Sequence, residues 1–316
     1  MASRSVTEIL LIPFQFVWYL FLTLLYALIG LIYAFVPSAI LPKKDVSNDI
    51  VLITGGGCGF GRLFALEFTK LGSTVVIWDI DERGAQKVAK ECEELGGKAY
   101  AFKVDVSKSK DVYRTADDVR KKVGDVTILI NNAGVVSGSH LLDTSDDMIN
   151  RTIDINVKAY FWVTVKAFAR SMLENNHGHF VSVCSMAGYY GGPKQVDYCA
   201  SKHAVVGFEE SLYLDFELNK KSGVFTTIIN PFYMDTGMFT GVESTKGLLP
   251  VLSAEFVMKK SMVAILTNER YVYLPYLTRL YIFLKSFLPE NSMWALRTFF
   301  GIEGYMGGFT GRQKSD

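Results

Sequence analysis

The sequence predicts an α/β protein, a doubly wound parallel sheet of about seven strands behind an N-terminal membrane helix. Three observations carry this. Apolar runs of strand length alternate with longer amphipathic segments from residue 50 onward, a glycine-rich turn joins the first run to the first such segment, and one uncharged stretch precedes them all. Alternation at that spacing implies a parallel sheet covered on both faces, because each crossover lays a helix over the strands it connects.

The uncharged stretch runs from Ile9 to Val36, 28 residues broken only by Pro13, Gln15, Thr23 and Gly30. At 1.5 Å per residue, roughly 20 of them cross a bilayer core of about 30 Å. The run is about twice a signal-peptide apolar region, and no small-x-small cleavage site precedes Lys43. Lys43 and Lys44 follow it, whereas Arg4 and Glu8 nearly cancel on the other side, so the lysine excess predicts a cytosolic C-terminal side. Pro13, Gly30 and Pro37 leave a second arrangement open, an interfacial hairpin that enters one leaflet and returns. Residues 1–42 are thus expected to be anchor and linker.

The composition agrees. With 33 Lys+Arg against 32 Asp+Glu the formal charge is +1, which leaves no electrostatic footprint for nucleic acid. A hydrophobic share of 49% excludes disorder, and four cysteines are too few to frame a disulfide-stapled chain of 316 residues. The positive mean hydropathy of +0.20 is largely local. Without residues 9–36 the hydrophobic share falls to about 45%, ordinary for a globular domain.

Strands are predicted near Ile50–Thr54, Thr74–Asp79, Ala99–Val104, Thr127–Asn131, His179–Cys184, Val224–Ile229 and Tyr271–Leu274. Helices are predicted at Gly61–Leu71, Asp111–Val123 and Val196–Lys220, so residues 43–275 are expected to form the α/β domain. The first strand runs into Thr54-Gly55-Gly56-Gly57-Cys58-Gly59-Phe60-Gly61. Glycines at 55, 59 and 61 allow a tight turn, a close approach to pyrophosphate and close packing of the next helix, the signature of a Rossmann-type dinucleotide site. Asp79 ends the second strand, where a carboxylate accepts hydrogen bonds from ribose hydroxyls and repels a 2′-phosphate, so NAD is favoured over NADP. Its rival role is N-cap of the segment starting near Glu82, and Arg83 is a nearby partner for a phosphate.

Further on stand Asn131-Asn132-Ala133-Gly134 and Tyr198-x-x-x-Lys202, with Ser185 thirteen residues upstream of the tyrosine. Together with the glycine spacing, these resemble the short-chain dehydrogenase/reductases over roughly residues 48–275. Tyr198 and Lys202 are four apart and share a helix face, where an ammonium favours the phenolate and lowers its pKa. Tyr198 is then expected to exchange the proton of an alcohol while hydride moves to or from a nicotinamide, with Ser185 holding the substrate oxygen. The resemblance implies that Lys202 reaches the nicotinamide ribose, and that Asn156 holds a water and relays protons to the lysine. It also implies that Asp105 and Val106 contact adenine, that Asn132, Ala133 and Gly134 line the cofactor site, and that Pro231 and Thr236 meet the nicotinamide end. Asn131 is expected to be mainly structural. One departure stands out: Phe232 follows Pro231 where that family usually has glycine, which bears on how the loop wraps the nicotinamide.

Cys58, Cys92, Cys184 and Cys199 show no metal spacing and are expected to be reduced packing residues; His177 and His179 are expected to be structural, and no metal is predicted. Residues 276–316 form an apolar extension with Arg279, Lys285 and Arg297 interspersed, suited to the substrate side or to a bilayer surface. Arg62–Phe68, Val76–Ile80, Thr236–Phe239 and Phe283–Pro289 resemble the membrane-bound retinol and 17-beta-hydroxysteroid dehydrogenase branch. That resemblance implies oxidation of retinol, a steroid or a fatty alcohol on the endoplasmic reticulum or lipid droplets, and a homodimer through the long helices near Asn156 and Tyr198. Two alternatives stay open, an NADPH-dependent retinal or ketosteroid reductase and a lipid-droplet scaffold that retains the fold.

Overall fold

The computed structural model describes residues 6–34, 36 and 40–311. The chain divides between Lys43 and Lys44 into two units. In the first, α1 (Val6–Ala34) runs for 29 residues through Pro13 and Gly30, about 44 Å at the helical rise. Its stretch Leu11–Gly30 is long and apolar enough to cross a membrane. The helix therefore does not turn back at Pro13 or Gly30; Pro37, the third residue of the hairpin alternative, lies outside the described residues.

The second unit is a seven-stranded parallel sheet: β1 (Ile50–Thr54), β2 (Thr74–Asp79), β3 (Lys98–Lys103), β4 (Ile128–Asn131), β5 (Gly178–Val183), β6 (Val224–Pro231) and β7 (Tyr271–Leu274). Their order across the sheet is β3-β2-β1-β4-β5-β6-β7. The order reverses between β1 and β4, which places a crevice for ligands at the carboxyl ends of those strands. The strands read as unbroken Val/Ile/Leu runs because both faces are covered. Alternation then sends Val51, Ile53 and Ile77 to one core, and Leu52, Val76 and Trp78 to the other.

Helices α2 (Gly59–Lys70), α3 (Glu82–Glu94), α4 (Ser109–Lys122), α5 (Asp146–Ile153), α6 (Arg170–Glu174), α7 (Val196–Leu218) and α8 (Ala254–Leu266) flank the sheet. Between α5 and α6 the helical path continues but widens into π-helical turns at Asp154–Lys158 and Phe161–Ala169. After β7 come α9 (Thr278–Phe287) and α10 (Glu290–Phe300). The chain beyond α10 shares the main core, because Ile302, Tyr305 and Met306 are all buried in the cluster that holds Phe64 and Val257.

Candidate active site

One cleft of about 520 Å³ is lined by Gly55, Gly59, Phe60, Gly61, Asp79, Asp105, Val106, Asn132, Ala133, Gly134, Ser185, Tyr198, Lys202, Pro231 and Thr236. Of the predicted site residues only Asn156 is absent from its walls.

The glycine turn is closed to side chains. Gly55 has φ +62, and a Cβ on Gly61 would stand 2.2 Å from the Gly55 carbonyl oxygen. The first turn of α2 has no side-chain cap, so its N–H groups and the positive end of its dipole suit an anion. Asn132 secures the turn by donating to the Thr54 and Gly55 carbonyls at 2.9 and 3.0 Å. Thr54 Oγ1 accepts from the N–H groups of Asn132 and Ala133.

Asp79 is held by its own surroundings: Oδ2 accepts from Gly57 N–H at 2.8 Å and Oδ1 from Asp81 N–H at 2.9 Å. The rival role as helix cap falls to Asp81, whose carboxylate accepts from Arg83 N–H. Asp105 is turned to its own loop. Against the upward push of burial, bonds from Ser107 and Lys108 hold its carboxyl below the usual range.

Tyr198 and Lys202 stand one turn apart on α7, only 4% and 3% exposed. The expected lowering of the phenol by the ammonium is reversed here. Burial pushes the Tyr198 phenol up, a hydrogen bond with Ser185 pulls against it, and burial lowers Lys202 as well. The cause is geometric: Lys202 Nζ donates to the Val183 carbonyl at 2.9 Å and lies 5.6 Å from the centre of the Tyr198 ring. Ser185 begins a short 3-10 turn, its Oγ accepting from Ala187 N–H at 3.1 Å.

Asn156 sits fully buried on the first π-helical turn. Its Oδ1 accepts from Val135 N–H at 2.9 Å, while Nδ2 donates to the Val135 carbonyl and to Ser201 Oγ. The side chain therefore fixes the loop after β4, whose Gly134 and Val135 line the cleft. Phe232 explains the departure from glycine. Its ring is buried against Tyr190, Tyr233 and Tyr305, so the position serves as a socket for the C-terminal segment.

Cys92, Cys184 and Cys199 are free thiols, and burial raises the Cys184 thiol to about 11. His179 is buried and held well below its ordinary pKa, first by burial and then by Lys44. His177 bonds Asp49 at 2.8 Å. Among the described residues no group of three or more His, Cys, Asp or Glu could hold a metal. Sequence reasoning missed Thr54, Asp197 with its partners Ser137 and Thr152, and the cleft-lining Phe309 and Thr310. Only Thr54, at the head of the glycine turn, carried a local signal.

A doubly wound sheet with this turn and this Ser–Tyr–Lys arrangement defines a class. The short chain dehydrogenase family model matches residues 49–247, and the chain belongs to the short-chain dehydrogenase/reductase family of oxidoreductases. It is 43% identical to human epidermal retinol dehydrogenase 2 over 287 residues, 90% of this chain and 92% of the relative. It is 41% identical to human 17-beta-hydroxysteroid dehydrogenase 13 over 276 residues, 86% and 89% of the two chains. These likenesses agree with the branch that the motifs resemble. Among solved structures, a short chain dehydrogenase/reductase from Burkholderia phymatum in complex with NAD superposes with a TM-score of 0.69 at 28% identity, covering 77% of this chain and 94% of that one.

Proposed function

We propose that this protein is a membrane-anchored, NAD-dependent alcohol dehydrogenase for lipophilic substrates, oxidising all-trans-retinol to retinal first and steroid or fatty alcohols next. The observation that carries the reading is the convergence of Ser185, Tyr198 and Lys202 in the cleft that Asp79 and the glycine turn also line. The uncapped turn of α2 fits a pyrophosphate, and the fixed Asp79 carboxylate fits a ribose diol and opposes a 2′-phosphate. Gly55, Gly59, Phe60, Gly61, Asp79, Asp105, Val106, Asn132, Ala133, Gly134, Pro231 and Thr236 would hold the cofactor, with Lys202 on its nicotinamide ribose. NAD supplies the hydride acceptor in oxidation and, reduced, the donor in the reverse direction.

The protein's own part is proton transfer and orientation. Ser185 and Tyr198 bind the alcohol oxygen; in oxidation the Tyr198 phenolate, which Lys202 and the cationic nicotinamide ring of a bound NAD would favour over the buried neutral phenol, takes the hydroxyl proton as the carbonyl forms, and in reduction the phenol gives it back. Burial keeps the site dry, and Asn156 acts as a positioning residue through Val135. The branch relatives are named for retinol and 17-beta-hydroxysteroid, which supports a lipophilic alcohol. Helix α1 supports anchoring, with the endoplasmic reticulum or lipid droplets as the site and the catalytic domain in the cytosol. The exposed Phe283, Phe287, Trp294 and Phe299 of α9 and α10 support a further lipid contact. Exposed Phe161 and Leu214 support a homodimer through the long helices. Membrane preparations assayed with retinol, estradiol and a long-chain alcohol against NAD and NADP test the reading. Turnover with NAD and at least one of these alcohols is expected; inactivity towards all of them, in both directions, overturns it.

A further inference from the structure

One wall of the cleft comes from a segment that no motif announces. We propose that Phe309 is a specificity-determining residue, an apolar wedge seated on Gly138 that admits to Tyr198 lipophilic alcohols whose hydroxyl ends a narrow chain and disfavours those whose hydroxyl is borne on a ring. The inference rests on the alcohol dehydrogenase reading of the site and deepens it.

Phe309 and Thr310 line the same cleft as Ser185 and Tyr198. The Phe309 ring lies directly on the backbone of Gly138. A Cβ there would stand 1.8 Å from a ring carbon, and φ at Gly138 is +69, so the seat requires glycine on both counts. The segment that carries the wedge is strapped down. Thr310 N–H donates to the Thr240 carbonyl at 3.0 Å, and the backbones of Gly241 and Gly308 touch so closely that a Cβ on Gly241 would fall 2.0 Å from the Gly308 oxygen. Just upstream, Tyr305 stacks on Tyr233 with centroids 5.2 Å apart.

The opposite wall is fixed as well. Ser137, next to Gly138, donates to Asp197 at 2.6 Å, and Thr152 donates to the other oxygen of that buried carboxylate at 2.8 Å. Asp197 precedes Tyr198 in the first turn of α7, so the loop that seats the wedge is held in register with the reacting hydroxyl. Phe309 is half-buried and offers no hydrogen-bonding group. Substrate that covers it gains by apolar contact, and a branched or ring-borne carbinol must displace it.

The test compares kcat/KM for all-trans-retinol, a primary alcohol on a flat chain, with that for estradiol, a secondary alcohol on fused rings, using full-length protein in membranes. In Phe309→Ala the retinol-to-estradiol ratio is expected to fall about tenfold, with NAD affinity unchanged. A general folding defect lowers both activities together and leaves the ratio alone. If the alanine variant does not fold, Gly138→Ala pushes the ring from its seat and should shift the ratio in the same direction. An active wild type whose ratio stays within twofold in the variant overturns the wedge. A wild type inactive on every alcohol sinks the reading of the site and the wedge with it.

Discussion

The two halves of the cleft are built by different means. Around β1 and β4 the walls are mostly backbone: Gly55 and Gly61 in contact, Asn132 and Thr54 tying the turn, and Asp79 pinned by two N–H groups. Beyond β6 the aromatic walls are Phe232, Phe239 and Phe309, brought together across the chain and backed by packing, with Phe232 on Tyr305, Tyr233 between Tyr305 and Phe239, and Phe309 on Gly138. Backbone walls fix a generic ligand, because every dinucleotide presents the same pyrophosphate and ribose. Packed rings fix a shape, and shape separates one lipophilic alcohol from another.

The sharpest way to test this division is to remove the reacting group at the seam. Tyr198→Phe is expected to lower kcat by about 10³-fold while leaving NAD affinity within a few-fold. Retention of more than a tenth of the activity would break the assignment of proton transfer to Tyr198. In the aromatic half, Phe232→Gly restores the residue usual in the family yet should destabilise the fold by about 3 kcal/mol, because it empties the socket of Tyr305 and Tyr190. A thermal midpoint equal to wild type would show that the rings do not depend on one another.

The same division decides what could be read from the sequence. The glycine turn, Asp79 and the pair Tyr198/Lys202 are legible because their partners lie within a few residues or on one helix face. All seven strands were legible as apolar runs, with ends displaced by a residue or two where the last residue still pairs, as Pro231 does with Leu274. The contact between Thr240 and Thr310 spans 70 residues and leaves no local pattern. The pKa of Tyr198 is not legible in the sequence, for a related reason. Spacing put Lys202 beside the phenol but could not show that the ammonium turns to Val183, nor how completely the ring is buried. Asn156 was legible as a residue, but its bonds to Val135 and Ser201 depend on a π-helical turn that periodicity does not mark.

Between the two halves runs α7, and its buried Glu209 offers a milder test. Burial raises this carboxyl from 4.5 to about 7, with the Ser182 hydroxyl and Arg270 opposing. The folded chain then holds a proton through the interval from 4.5 to about 7 that the unfolded chain releases. Stability from this group is present below that interval and is lost as pH rises through it, a decline of up to about 3 kcal/mol between pH 4 and 8. Glu209→Gln keeps an acceptor for Ser182 and should flatten the slope, read from denaturant midpoints at a series of pH values. An unchanged slope would move the titration to another group.

The smallest expected effect probes the backbone half where a side chain does intervene. If Asp79 selects by accepting from ribose hydroxyls and repelling a phosphate, then Asp79→Ser removes both effects and leaves Arg83 near an incoming 2′-phosphate. Bonds to a charged acceptor contribute about 2 kcal/mol, so the NAD-to-NADP ratio of kcat/KM should fall roughly thirtyfold. The loss must come from selectivity and not from collapse of the turn. Oδ2 of Asp79 also holds Gly57 N–H, and serine retains an acceptor for that bond only at shorter reach. NADP turnover in the variant separates the two: a gain with NADP marks selection by charge, whereas equal losses with both cofactors mean that Asp79 shapes the turn and leaves the choice of cofactor to other groups.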